Sequence, residues 1–195
     1  MPNEEPTKKF QEQCSVVLRD SLTEVIQTLF SAKPQLSEVQ DLDWLRNGQV
    51  AAMIGLSGSM NAFLVLVTNT ASACRLVIRM LGPEIEAFDK FVIDGTGELV
   101  NILAGVVKTH FARHERKLEL GLPSIVMGSV ELSVRNRIHT DGLSLLVRYQ
   151  DVEFILSFYY TLTAPSTSLV IRGPVPDAAD MLRRLVLAKG NSTIF

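Results

Sequence analysis

Apolar residues recur at helical spacing from Phe10 to Phe30, through Val16, Val17, Leu18, Leu22, Val25, Ile26 and Leu29. This spacing predicts a first helix, which "SAKPQ" ends because Pro34 cannot continue it. Residues 1–9 ahead of it are polar and read as a flexible N-terminus. After a polar stretch to Asn47 come two β-rich runs, "QVAAMIGL" and "MNAFLVLV", with "SGS" between them as a hairpin turn. "NTASACRLVIRMLG" then reads as a short helix, with Thr68 to Thr70 as cap candidates and Gly82 as its stop. A long helix follows from about Ala87 to about Glu115. Beyond "LGLPS", the runs "IVMGSVELSV", "GLSLLVRYQ" and "VEFILSFYYTL" are rich in β-branched and aromatic residues, and "HTDG" is a turn between two of them. Strands joined by short turns imply an antiparallel sheet with helices packed on it, an α+β layer arrangement spanning residues 10–163. Past Thr163 the composition shifts. "APSTS" and "RGPVP" surround "LVI", and "DAADMLRRLVLAKG" is a short amphipathic helix candidate, so residues 164–195 read as an appendage, either folded back on the domain or free to dock elsewhere.

The long helix is unusual in being apolar around most of its circumference. At about 100° per residue, Phe91, Val92, Gly95, Leu99, Ile102, Leu103 and Val106 fall within about 60° of Phe88, forming a core stripe. Ile93, Val100, Ala104 and Val107 form a second apolar flank. One strip remains: Asp94, Gly97, Glu98, Asn101, Gly105 and Lys108. Glu98 and Asn101 are i and i+3 neighbours, so their side chains stand side by side. Each glycine costs about 1 kcal/mol relative to alanine in a helix interior, a cost that something should offset. A surface without side chains admits another backbone, which makes the strip a shallow landing site with two polar groups standing in it. The other reading is a solvated face whose glycines serve helix packing. Asp20, Glu24 and Gln27 in the first helix repeat the spacing of Asp94, Glu98 and Asn101, which points to a duplicated half-domain or to chance.

Composition removes several function classes. The net charge is −2 with acids and bases intermixed, which argues against nucleic acid or an anionic membrane as the main partner. Apolar runs such as "AFLVLV" are too short to span a bilayer, and "MPNEEPTKK" has no apolar core behind it as a secretory signal would. Cys14 and Cys74 sit in apolar-periodic segments and read as buried thiols, so the expected compartment is the cytoplasm. His110 and His114 have i, i+4 spacing, but Phe111 stands where zinc hydrolases of that pattern need glutamate, and no metal site is expected. The basic run "RHERK" suits a helix C-terminus. "GLSGS" is not a nucleophile elbow, because Ser59 replaces the closing glycine and the segment links two strands. Trp44 reads as a core anchor.

"GELVNILAGVVKTHF" resembles the signature of the CheX/CheC family of bacterial chemotaxis phosphatases, which carry Glu-x-x-Asn in a run like "GELxNMxAG". "IGLSGSMNAFLVLVTNTASACRLVIRMLG" is similar to the family's strand–turn–strand and helix ending in Met-Leu-Gly, and "LELGLPSIVMGS" to its Leu-Pro-x-x-Val-x-Gly element. The resemblance covers about residues 10–163. It implies two long helices packed on an antiparallel sheet. The single motif is similar to CheX rather than CheC, since Gln27 and "TEVIQTLF" depart from the motif in the first half. The resemblance also implies a homodimer formed through sheet edges.

The substrate the resemblance implies is a phosphorylated CheY-like response regulator of a two-component pathway. Its aspartyl phosphate lies in a pocket that supplies its own Mg²⁺, so the chain needs no cofactor of its own. What that pocket lacks is a water held in line with the leaving oxygen, and positioning accounts for much of the catalysis available to a loose transition state. A carboxamide suits the task, because its carbonyl accepts from water, its NH₂ donates to a phosphoryl oxygen, and it carries no charge. Water orientation therefore falls to Asn101. Glu98, by resemblance, pairs with the regulator's active-site lysine. Asp94, Gly97, Gly105 and Lys108 would be partner contacts, the glycines allowing approach and Lys108 steering from the rim. The alternative is a CheX-like module that binds a receiver domain or flagellar-switch component without hydrolysis.

Overall fold

The computed structural model describes residues 4–39, 49–82, 90–128, 131–135, 141–161 and 168–172. Its elements in chain order are α1 (Glu4–Phe30), β1 (Gln35–Glu38), β2 (Val50–Gly58), β3 (Asn61–Thr68), α2 (Thr70–Leu81), α3 (Lys90–Ala112), β4 (Leu118–Leu120), β5 (Ser124–Met127), β6 (Glu131–Arg135), β7 (Asp141–Tyr149), β8 (Val152–Thr161) and β9 (Ser168–Arg172). The main sheet has seven strands in the order β1-β7-β8-β3-β2-β4, with β5 also pairing β2. Each of its pairings is antiparallel, with register such as Val65 opposite Ser157 at the centre and Leu36 opposite Val147 at one edge. The expected α+β arrangement of helices on an antiparallel sheet is what the chain adopts.

Strand β8 explains the layering. Its run "VEFILSFYYT" is buried at nearly every position, as a central strand covered on both faces must be. On one face Leu64, Leu66, Leu145, Val147, Phe154, Leu156 and Phe158 meet the helices in a continuous core. On the other, Ala51, Val65, Val67 and Ile155 form a second buried cluster. Aromatic contacts on β8 seat both long helices. Phe10 of α1 meets Tyr160 edge-on at 5.2 Å, and Phe111 of α3 stacks on Phe158 at 5.7 Å.

Several expectations change in detail. Helix α1 begins at Glu4, inside the stretch expected to be a tail. The periodicity first shows at Phe10, the first α1 residue buried in the core, because the polar turns ahead of it carry no apolar stripe. Two short edge strands, β1 and β4, went unrecognised because three or four residues give too little alternation to detect. The run "IVMGSVELSV" is two strands rather than one. Its first part is β5 on the main sheet, and its second is β6, which pairs with β9 from the expected appendage. The helix candidate at 177–190, Trp44, Phe88 and the first half of the turn "HTDG" lie outside the described residues.

The sheet order discloses an internal repeat. Strands β3 and β8 pair at the centre, β2 and β7 flank them, and β4 with β5 on one side and β1 on the other form the edges. The series helix, edge strand, hairpin occurs as α1-β1-β2-β3 and again as α3-β4/β5-β7-β8. Each edge strand pairs with the other half's hairpin. The shared spacing of Asp20-Glu24-Gln27 and Asp94-Glu98-Asn101 therefore falls on topologically equivalent helices.

Helix α2 fixes the position of α3. Asn69, one of the cap candidates, accepts a hydrogen bond from the Ser72 amide at 2.8 Å, and the Gly82 amide closes the other end on the Ile78 carbonyl. Arg75 and Arg79 both pair with Asp151 in the β7–β8 turn. The hydrogen bond from Arg79 is the main reason the Asp151 carboxyl is held below the usual carboxylate range. Beside it, burial pushes the Tyr149 hydroxyl well above its ordinary value, a shift Arg79 partly opposes. On its other side α2 presses Val77 onto Gly95 of α3. A Cβ at Gly95 would lie 2.6 Å from Val77 Cγ1 and 2.8 Å from Cγ2. Valine is stiff at χ1 and both residues are buried, so the helices would have to separate. Gly95→Ala is therefore expected to destabilise the protein by about 1–3 kcal/mol, the usual cost of overpacking, despite alanine's better helix propensity. A urea melt checks this, and unchanged stability would contradict the packing described.

Candidate functional site

Burial along α3 shows which face it offers. Val92, Gly95, Thr96, Gly97, Leu99, Val100, Leu103, Ala104, Val107 and Phe111 are buried. The centre of this stripe is turned by about 80° from a stripe centred on Phe88, toward the flank that holds Val100 and Ala104. The helix is enclosed by the sheet, α1 and α2 together, so Val100, Ala104 and Val107 of the flank expected to be secondary are as deeply buried as Leu99 and Leu103 of the core stripe. The outward face consequently carries Phe91, Asp94, Glu98 and Thr109 in the open, with Asn101, Gly105 and Lys108 half-buried.

Glu98 and Asn101 stand one turn apart on this face. Among the described residues neither side chain has a hydrogen-bond or ion-pair partner. Their outward direction is set by Leu99, Val100, Leu103 and Ala104, whose burial leaves the intervening positions on the open side. Asp94 lies one turn before Glu98 on the same face, and Lys108 borders it on the side of Asn101.

The two strip glycines do different things. Gly97 is buried rather than bare, which corrects the expectation for it. A Cβ there would lie 2.9 Å from Ile125 Cδ1, so its missing side chain lets β5 lie close against α3. At Gly105, by contrast, a Cβ would meet nothing within 4 Å. Among the described residues no internal contact accounts for a glycine at that position.

The equivalent position in α1 is engaged. Glu24 Oε2 lies 2.9 Å from Nε2 of His110, which reaches across from α3. His110 thus links the two long helices, and Glu24 differs from Glu98 in having a local partner. Among the described residues no group of three or more His, Cys, Asp or Glu side chains is placed to hold a metal ion. No described helix is long and apolar enough to cross a membrane.

Sequence reasoning missed Phe91. It was assigned to the core stripe, yet it is 66% exposed on the same face as Glu98. A wheel centred on Val100 instead of Phe88 would have placed it outside.

Long helices on an antiparallel sheet, with a Glu-x-x-Asn pair on the exposed face of one of them, define a class of α+β proteins. Residues 50–144 match the family model described as chemotaxis phosphatase CheX. The chain is CheX-like, as its motifs indicate, and the matched segment includes both Glu98 and Asn101. No curated protein matches it by sequence. Among solved structures it is similar to the chemotaxis protein CheX of Desulfovibrio desulfuricans, with 19% identity and a TM-score of 0.63, covering 76% of this chain and 99% of that one. CheX from Vibrio vulnificus gives 19% identity and a TM-score of 0.64 over 74% of this chain and 97% of that one. A complex of CheX with CheY, BeF3 and Mg²⁺ from Borrelia burgdorferi gives 17% identity and a TM-score of 0.55 over 80% of this chain and 96% of the matched chain.

Proposed function

We propose that this protein accelerates hydrolysis of the aspartyl phosphate of a CheY-like response regulator in the cytoplasm. The observation that carries this reading is the pair on α3: a carboxylate and a carboxamide, side by side, uncommitted among the described residues, next to clear space at Gly105. The family match and the Borrelia CheX–CheY complex support a receiver domain as the partner.

The chemistry follows from what each group can do. An acyl phosphate in a receiver pocket already has a metal and a lysine to stabilise charge. Mg²⁺ held by the partner would supply that stabilisation, so this chain needs no metal of its own. Asn101 holds the attacking water through its carbonyl oxygen and donates from its NH₂ to a phosphoryl oxygen. A neutral amide adds no repulsion beside the anion, whereas a carboxylate there would. Glu98 instead accepts from the partner's lysine ammonium, a charge-assisted bond that fixes the helix over the pocket. Asp94 and Lys108 lie at the rim and act on encounter. Rigidity matters because water must be held in line, and α3 is clamped on three sides.

The test is the lifetime of phosphorylated receiver domains from the source organism. Substoichiometric protein should shorten that lifetime for the cognate regulator over many turnovers. Binding without any shortening would leave a non-catalytic docking module and overturn the phosphatase reading.

A further inference from the structure

We propose that His110 is a positioning residue for the phosphatase reaction: through its bond to Glu24 it fixes the rotation of α3, and so the direction of the Asn101 amide. This rests on the reading above that Asn101 aligns the attacking water. Nε2 of His110 donates to Oε2 of Glu24 at 2.9 Å, the carboxylate oxygen being an acceptor only. The His110 side chain is 12% exposed and that of Glu24 51%. The bond ties α3 to a helix that is itself held elsewhere. Arg19 of α1 pairs with Glu38 of β1 at 2.6 Å, and Phe10 of α1 meets Tyr160 of β8.

The placement of the bond gives it leverage. His110 follows Asn101 by nine residues, which is about 180° around the helix and about 14 Å along it. Asn101 therefore points away from the side on which α3 is tied to α1. Six residues before Asn101, Val77 fills the notch at Gly95. Asn101 thus lies between a steric support and a hydrogen-bonded one. In the second half of α3, Leu103, Val107 and Phe111 are buried and set its depth in the core. Apolar burial has no preferred direction, whereas a hydrogen bond weakens steeply with angle, so the bond is the stronger brake on rotation. A helix with its side chains has a radius of about 5–6 Å, so a turn of about 10° carries a side-chain tip about 1 Å. A misplacement of that size costs about a hundredfold where alignment governs the step. The internal repeat fits this division. Glu24 holds on α1 the place that Glu98 holds on α3. One copy of the repeated carboxylate steadies the helix that presents the other.

The experiment compares wild-type protein with His110→Ala, Glu24→Ala, the double variant, His110→Gln and Glu24→Gln. Receiver domains of the source organism serve as substrate, and their beryllium fluoride-trapped forms as ligand for calorimetry. Each alanine variant should lower kcat about ten- to a hundredfold, with KM and Kd for the trapped receiver within about twofold of wild type. The double variant should lose no more than either single, since each breaks the same bond. A pair with one partner half-exposed contributes little to folding, so the melting midpoint should move by less than about 4 °C. Glutamine can still donate from position 110 and still accept at position 24, so both glutamine variants should keep most of the wild-type kcat. In the free protein, NMR relaxation dispersion should show microsecond-to-millisecond exchange at the Glu98 and Asn101 amides of the alanine variants, absent from wild type and the glutamine variants. Unchanged kcat in the alanine variants would overturn the proposal, as would a loss that glutamine does not restore. A raised KM at unchanged kcat would put the pair in the docking surface and overturn it as well. Wild-type protein that binds receivers without accelerating decay sinks the phosphatase reading. The relaxation data then still decide whether the bond fixes α3, and a rigid α3 in the alanine variants overturns that claim.

Discussion

Asn101→Ala should return decay of the phosphorylated regulator to its unassisted rate while leaving capture of that regulator almost intact. The residue is half-buried on α3, with its amide uncommitted among the described residues, so its removal breaks no bond to them and leaves none of them unsatisfied. What is lost is an interaction that matters in the transition state, namely the alignment of water with the scissile P–O bond. Removing one such positioned group typically costs about 10²–10³ in kcat. Glu98→Ala should behave differently. A charge-assisted bond contributes about 1.5–3 kcal/mol, so binding to a beryllium fluoride-trapped regulator should weaken roughly ten- to a hundredfold, with turnover falling in step at low substrate. The pair of variants thus separates chemistry from docking. Equal losses of binding in both would show that the two residues do not divide the work in this way.

Gly105→Leu should make the protein more stable and less active. Among the described residues no atom lies within 4 Å of a Cβ at this position, so a leucine side chain has room beside them in the free protein. Leucine is favoured over glycine within a helix by nearly the full glycine penalty, so folding should strengthen by about 0.5–1 kcal/mol. The same side chain would stand one turn beyond Asn101, where the partner's pocket wall must approach, and should hold the helix away from the phosphate. A shift of even about 1 Å can cost a hundredfold in rate where geometry governs the step. Thermal melts alongside decay assays read the two signs together. A stabilised variant with undiminished activity would mean that nothing approaches Gly105. This contrasts with Gly95 and Gly97, whose missing side chains serve Val77 and Ile125 within the same molecule. Of the three α3 glycines, Gly105 is the one left without an internal reason among the described residues.

Much of this was legible in the order of residues. The β2–β3 hairpin, α2 with its Asn69 and Gly82 ends, and the polar strip on α3 follow from periodicity and cap chemistry. The short edge strands did not, because their place is set by pairing with β7 and β2 rather than by their own sequence. The azimuth of α3 was also misjudged. A helix apolar on two flanks has no single moment direction, and only the presence of α1, α2 and the sheet around it decides which flank is deepest. That decision took Phe91 from the core to the surface and Gly97 from the surface to the core. Glu98 and Asn101 kept their places because they lie far from either choice of axis. The tie between His110 and Glu24 had no local signal, since it joins residues from two helices that meet only when folded.

The most direct measurement is a structure of this protein bound to its cognate receiver domain trapped with beryllium fluoride and Mg²⁺. The account predicts α3 lying across the phosphorylation pocket, with the Asn101 amide at hydrogen-bond distance, about 3 Å, from a fluoride or an in-line water and Glu98 beside the receiver's lysine. A complex in which another face of the molecule covers that pocket, with Asn101 facing bulk solvent, would contradict it.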